Sequence, residues 1–234
     1  MEEYFKRVII ALDTPDEKRA LELVRLLKNR VGIFKVGLEL FTGAGPSIIG
    51  KINEEGCRVF LDLKFHDIPN TVYGAVKQAA RLGAFMLDVH ASGGRKMMEW
   101  AKKAVEEVFE RDCEKRPKIL AVTVLTSIDG EDLKEMNVEK SPCEQVLSLA
   151  KMAREVGLDG VVASPEEVRE IKEVLGRDFL VVTPGVRPSF AAASDQKRVM
   201  TPLEAIKMGT DYIVIGRPVT AAEDPPAALE KIFD

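Results

Sequence analysis

The sequence is short of the residues from which many active sites are built. Its 234 residues include two histidines and three cysteines. Cys57, Cys113 and Cys143 are far apart and form no Cys-x-x-Cys pair. That pattern suits free, structural thiols in a reducing compartment. His66 and His90 have no His/Asp/Glu spacing around them that closes a metal site, so both are expected to be packed or supporting side chains. Lysine- and arginine-rich tracts are absent. The 34 basic residues are interspersed with 38 acidic ones, for a formal net charge of -4. No nucleic-acid partner is expected of such a surface, although local charge can still hold a small anion. No apolar run approaches the roughly 20 residues of a membrane span, so no membrane partner is expected. The opening MEEYFKRVIIALD places acids ahead of a short apolar run and lacks a signal peptide's basic start and cleavage site. A cytoplasmic protein is expected. The P-loop, the Gly-x-Ser-x-Gly elbow and the Rossmann glycine turn are also missing.

What is present is a regular alternation. Short, continuously apolar runs occur at 7–13, 32–39, 58–64, 84–91, 118–126, 160–164, 179–185 and 212–218. Amphipathic stretches separate them. One begins at Thr14 and Pro15, one covers about 46–55, one runs from Ile68 to Gly83, and a long one runs from about Gly94 to Glu114. Continuous apolar strands are expected where both faces are buried, as in a parallel sheet. Eight such βα units predict an α/β fold, the (β/α)8 TIM barrel, as one domain over 1–234. The alternative, an open doubly wound sheet, normally offers a glycine-rich turn after its first strand. Here that turn reads ALDTPDE. Two long loops, 127–140 and 186–200, are candidate lids or binding loops.

In a barrel of this kind the chemistry sits at the C-terminal ends of the strands, and charges fall there in order. Asp13 ends the first strand and Lys35 lies in the second. Asp62 and Lys64 end the third, with Asp67 on the loop after it, and Asp88 and His90 lie near the end of the fourth. Asp62 and Lys64 are two apart, so both point to one side of the strand. Facing the helices they would bury charge in an apolar layer, at several kcal/mol per ion. The barrel mouth is the expected place. Lys35 and Asp67 complete a set of two ammoniums and two carboxylates, a network able to hold a proton donor in position. A purely structural ion-pair network is the other reading of the same spacing.

The opposite side of the mouth carries anion-binding features. The seventh strand runs into TPGVRPSFAAASDQKR and the eighth into GRPVT. Barrels frequently bind phosphate with these two loops. Gly185 and Gly216 allow close backbone approach, Arg187 and Arg217 offer forked donors, and Gln196 adds an amide. Thr126 and Ser127, at the end of the fifth strand, offer hydroxyls to a neutral polar group, although such residues also serve as caps and turns.

Taken together, ALD, FKVG, DLKFHDIPNTV, LTS, TPGVRP…DQKR…TP and GRPVT resemble, in order and over nearly the whole chain, the orotidine 5′-phosphate decarboxylase family in its bacterial, monofunctional form. The resemblance implies cofactor-free decarboxylation of orotidine 5′-phosphate to UMP, the last step of de novo pyrimidine nucleotide synthesis, with no metal. It implies Lys64 as proton donor, Asp62 beside the departing carboxylate, and Lys35 in the charge network. Asp13 and Lys35 would hold ribose hydroxyls, and Thr126 and Ser127 would lie near the pyrimidine. Pro184, Arg187, Gln196, Gly216 and Arg217 would line the phosphate side. Asp67, with Ile68 and Thr71, would reach into the neighbouring site of a homodimer. The Ser194-Asp195-Gln196 stretch departs from the Gly-Asp-Gln common in similar sequences. Two rival readings remain. One is a metal-dependent decarboxylase or aldolase acting on a sugar phosphate, for which Glu39 is a weak candidate ligand. The other is a non-catalytic nucleotide-binding barrel.

Overall fold

Side chains along a strand point alternately to its two faces, and here both sets are apolar. On the first strand Val8 and Ile10 pack outward against helices, while Ile9 and Ala11 point to a separate inner cluster. The computed structural model describes residues 2–191 and 200–234. In it the strands β1 (Val8–Ala11), β2 (Ile33–Gly37), β3 (Arg58–Phe65), β4 (Met86–His90), β5 (Lys118–Val122), β6 (Gly160–Val162), β7 (Leu180–Thr183) and β8 (Tyr212–Ile215) pair in chain order. All pairings are parallel, and β1 meets β8 to close the barrel. The inner cluster, which includes Ile9, Ile33, Phe60, Met86, Leu120 and Val214, fills the barrel below its mouth. The larger outer cluster lies between sheet and helices.

The helices start and stop where local chemistry dictates. Asp16 caps Glu17–Leu27 by accepting from the N–H groups of Lys18 and Arg19. Ser141 and Glu144 form a capping box at the start of Pro142–Val156, which ends at Gly157 in the left-handed region. Pro69–Arg81 begins directly after Ile68, so β3 and its helix are joined by three residues that include Asp67. Among the described residues no helix is long and apolar enough to cross a membrane.

Several expected boundaries move. The fifth strand ends at Val122, not at residue 126, because Thr123 turns both its N–H and its hydroxyl onto the Val162 carbonyl and the chain then leaves the sheet. Thr126 and Ser127 therefore sit in a turn beyond it. The loop 127–140 contains a helix, Gly130–Glu135. Asp129 is its N-cap in a reciprocal box with Asp132. The long helix ends at Val108, short of Glu114. Leu38–Ala44 is a helix following β2. Pro202–Met208, capped by Thr201 and Glu204, is a helix between β7 and β8 that the apolar pattern alone did not suggest.

One contact sets the spacing of β6 and β7. A Cβ on Gly160 would lie 2.2 Å from the Leu180 carbonyl oxygen, opposite which Gly160 is paired. Gly160→Ala should destabilise the protein by about 1–3 kcal/mol through overpacking, read as a lower denaturant midpoint. An unchanged midpoint would mean that these strands separate locally without cost.

Candidate active site

The inward positions change character at the top of the barrel. Below, β2, β3 and β4 present Ile33, Phe60 and Met86; one inward step higher they present Lys35, Asp62 and Asp88. Lys35 Nζ lies 3.1 Å from Asp13 Oδ1 and 3.2 Å from Asp62 Oδ2. Lys64 Nζ pairs with Asp62 Oδ1. The result is a row of alternating sign, Asp13–Lys35–Asp62–Lys64. Lys35 and Asp62 keep only 12% and 11% of their side-chain surface exposed. Gly37 makes room for it: a Cβ there would sit 2.7 Å from Lys35 Nζ.

Asp67 does not belong to this row within one chain. It is exposed, and its Oδ1 accepts the N–H of Ile68 at 2.6 Å. The second carboxylate on Lys35 is Asp13, which the sequence places at the end of β1 and the direct pairing of β1 with β2 brings alongside Lys35. Ile68 and Thr71 are likewise exposed and line neither of the two cavities described below.

Asp62 and Lys64 do face the mouth together, but not by simple alternation. Leu61 pairs with Leu87 and Phe65 with Val89, so β3 carries extra residues in a bulge. Within it Lys64 adopts a φ of 49°, in the left-handed region that a non-glycine residue rarely enters. Its N–H donates to Asp88 Oδ1 at 2.8 Å. Strain of this kind persists only where surrounding contacts enforce it, and it clusters at functional sites.

Electrostatics follow from the geometry. Burial by itself would raise the pKa of Asp62; a hydrogen bond with Asp88 and the charges of Lys35 and Lys64 outweigh it and hold the group down to about 2. For Lys35 burial works downward, and the charges of Asp62 and Asp13 overcome it, leaving the pKa raised. Lys35 therefore stays charged in a place with little water. His66 and His90 stack as a tilted pair, ring centroids 5.3 Å apart, beside Lys64. Burial, with the charges of His66 and Lys64, lowers the His90 pKa. Among the described residues no cluster of three or more His, Cys, Asp or Glu side chains could hold a metal ion. Glu39 is exposed on the helix after β2 and lines neither cavity.

Two adjoining cavities open beside the row. The first, about 230 Å³, has apolar walls that include Phe60, Val122 and Val214, with Lys35, Asp62 and Lys64 on one side and Thr126 and Ser127 at its rim. The second, about 170 Å³, is lined by Asp13, Gly185, Arg187, Gly216 and Arg217. Lys35, Pro184 and Val214 line both. Gln196 lies outside the described residues. A sequence profile described as Orotidine 5′-phosphate decarboxylase / HUMPS family matches residues 6–232. The chain belongs to this family.

The relatives agree in length as well as in sequence. An orotidine 5′-phosphate decarboxylase of Geobacter sp. (strain M21) is 52% identical over 233 residues, covering 100% of this chain and 97% of that protein. One from Moorella thermoacetica is 53% identical over 227 residues, covering 97% and 90%. A crystal structure of orotidine 5′-phosphate decarboxylase from Lactobacillus acidophilus superposes with a TM-score of 0.84 at 44% identity, covering 98% of this chain and 99% of that one. Within this orotidine 5′-phosphate decarboxylase / HUMPS chain, two residues of the site, Gly37 and Asp88, were given no role in the sequence. Gly37 could have been found as the glycine two places beyond Lys35. Asp88 was noted only as a strand-end charge; its inward direction follows from the parity it shares with Met86.

The Asp62 shift has a pH consequence. Its folded pKa lies below the unfolded value of about 3.9, so ionised Asp62 stabilises the fold above about pH 4, and this contribution fades as the pH falls toward 2. Lys35→Met should lower stability at pH 7 by about 3 kcal/mol. The gap to the parent protein, followed by denaturant unfolding, should narrow between about pH 4 and pH 2. A gap that stays constant across that range would mean that the Lys35–Asp62 pair is not its source.

Proposed function

We propose that this protein decarboxylates orotidine 5′-phosphate to UMP, completing de novo pyrimidine nucleotide synthesis in the cytoplasm, and that it does so without a cofactor. The observation that carries the reading is the junction of the two cavities at Lys35: an apolar slot walled on one side by Asp62 and Lys64 opens onto a chamber flanked by two arginines. A flat pyrimidine ring fits the first, a phosphate dianion fits the second, and a ribose spans the ridge at Asp13 and Lys35.

Loss of carbon dioxide from carbon 6 of the pyrimidine leaves an electron pair in the ring plane, with no carbonyl placed to delocalise it. The protein must stabilise that charge electrostatically. Lys64, fixed by its pair with Asp62, puts an ammonium where the charge develops and then supplies the proton. That interaction is stronger in the transition state than in the ground state, as rate acceleration requires. Asp62, held ionised, sits beside the departing carboxylate and favours its loss. Thr126 and Ser127 hydrogen-bond the base. Pro184, Arg187, Gln196, Gly216 and Arg217 form the phosphate side, and binding energy gained there positions carbon 6 against Lys64.

The assembly we propose is a homodimer in which Asp67, Ile68 and Thr71 complete the neighbouring subunit's site. Two features support it. Asp67 is exposed, its Oδ1 taken by the Ile68 N–H and not by either lysine of the row, and Ile68 leaves 67% of its surface open for a partner to cover.

The direct test follows the absorbance of orotidine 5′-phosphate with and without chelator. Turnover that survives chelation is expected; turnover abolished by it would favour a metal-dependent reaction. Lys64→Ala should reduce kcat by about 10³-fold or more while UMP still binds, and near-normal turnover would remove Lys64 from its role. Arg217→Ala should weaken UMP at least about tenfold more than uridine; equal losses would count against the phosphate chamber.

A further inference from the structure

One acid in the inner layer is not used by the reaction as described. Asp88 is fully buried on β4, next along the sheet from Asp62. Its Oδ1 accepts the Lys64 N–H. Its Oδ2 is buried with no hydrogen-bond partner among the described residues, and the pairing of Leu61 with Leu87 sets the inward-facing Asp62 carboxyl beside it on the next strand. The charged groups acting on it most strongly are Asp62 and Lys64, both on β3. On the other side β5 offers Leu120 and Val122, and along its own strand lie Met86 and the titratable His90. Two carboxyl groups placed together away from water cannot both ionise without a large penalty, so one keeps a proton. Asp62 has two ammoniums. Asp88 has none within ion-pair distance among the described residues, so the proton belongs on Asp88.

We propose that Asp88 is a positioning residue, a neutral carboxylic acid that donates its Oδ2–H to Asp62 from below while its Oδ1 holds the left-handed backbone of Lys64. One side chain thus fixes both members of the proposed catalytic pair. Burial first, then the charge of Asp62, pushes the Asp88 pKa well above the usual carboxylate range, in keeping with this geometry. The same contact appears in reverse at Asp62, where the hydrogen bond with Asp88 is the strongest influence lowering the pKa. The catalytic part of the proposal rests on the decarboxylase reading above; the protonation state does not.

Two variants separate the possibilities. Asp88→Leu fills a similar volume but offers neither donor nor acceptor. It should lower kcat by about 10- to 100-fold, the worth of a hydrogen bond to a charged group, with KM little changed. The acid limb of the kcat/KM profile should also move to higher pH, because Asp62 has lost a donor. Asp88→Asn presents the same acceptor and a permanent N–H donor, and should recover most of that loss and return the acid limb. If the Asn variant falls as far as the Leu variant, or if the Leu variant keeps the parent kcat and acid limb, the positioning role is wrong.

The second measurement needs no activity. A folded pKa raised above the unfolded value stabilises fully at low pH and is lost as pH rises. The melting temperature of Asp88→Asn should therefore gain on that of the parent protein by several degrees between about pH 4 and pH 7. A difference that stays constant across this range would show Asp88 ionised in the fold and overturn the proposal, whether or not orotidine 5′-phosphate is turned over.

Discussion

The mutual attraction of Lys35, Asp62 and Lys64, set against the cost of drying them, is the interaction on which the site depends. Removing an ion from water costs several kcal/mol even after the protein relaxes. Lys35 and Asp62 tolerate this because each touches opposite charge, Lys35 on two sides and Asp62 on two. The order of signs matters more than their number. Removing either Lys35 or Asp62 would leave the other buried with too little compensation.

The barrel makes this balance possible. Its lower interior is filled by side chains such as Ile9, Phe60 and Met86, an apolar floor that screens the charges above it little. Pairing of β1 with β2 brings Asp13 alongside Lys35, pairing of β7 with β8 sets Arg217 and Arg187 on one chamber, and closure of β8 onto β1 joins that chamber to Asp13. A charged row, an apolar slot and a basic chamber thus meet within a few ångströms although their residues span almost the full chain. The strand ends are held from outside by the helix layer, so the functional groups ride on rigid elements, and preorganisation of this kind is what electrostatic catalysis needs.

Much of this was legible in the residues. Continuous apolar runs spaced by amphipathic stretches predicted eight βα units, since a parallel strand buried on both faces has no polar side to show. DLKFHDIPN pointed to a functional strand end because charge at that density is costly anywhere except the mouth. The boundaries were less legible. Thr126 and Ser127 looked like the end of a strand because their apolar neighbours, Val124 and Leu125, continue its composition. Only the pairing of Thr123 with Val162 shows where the ladder stops. The helix Gly130–Glu135 was hidden inside the loop 127–140 because Asp and Gly favour turns as readily as helix starts.

The chain's own pattern of residues determined the fold class, the family and the set of charged residues at the strand ends, because periodicity and motif spacing are local properties. Tertiary structure alone decided which charges touch. It put Asp13, not Asp67, on Lys35, since that contact depends on the register between β1 and β2, which neither strand's own residues reveal. It also bent Lys64 into a left-handed bulge above Asp88, a contact created by the mismatch of two neighbouring strands and recorded in neither strand by itself.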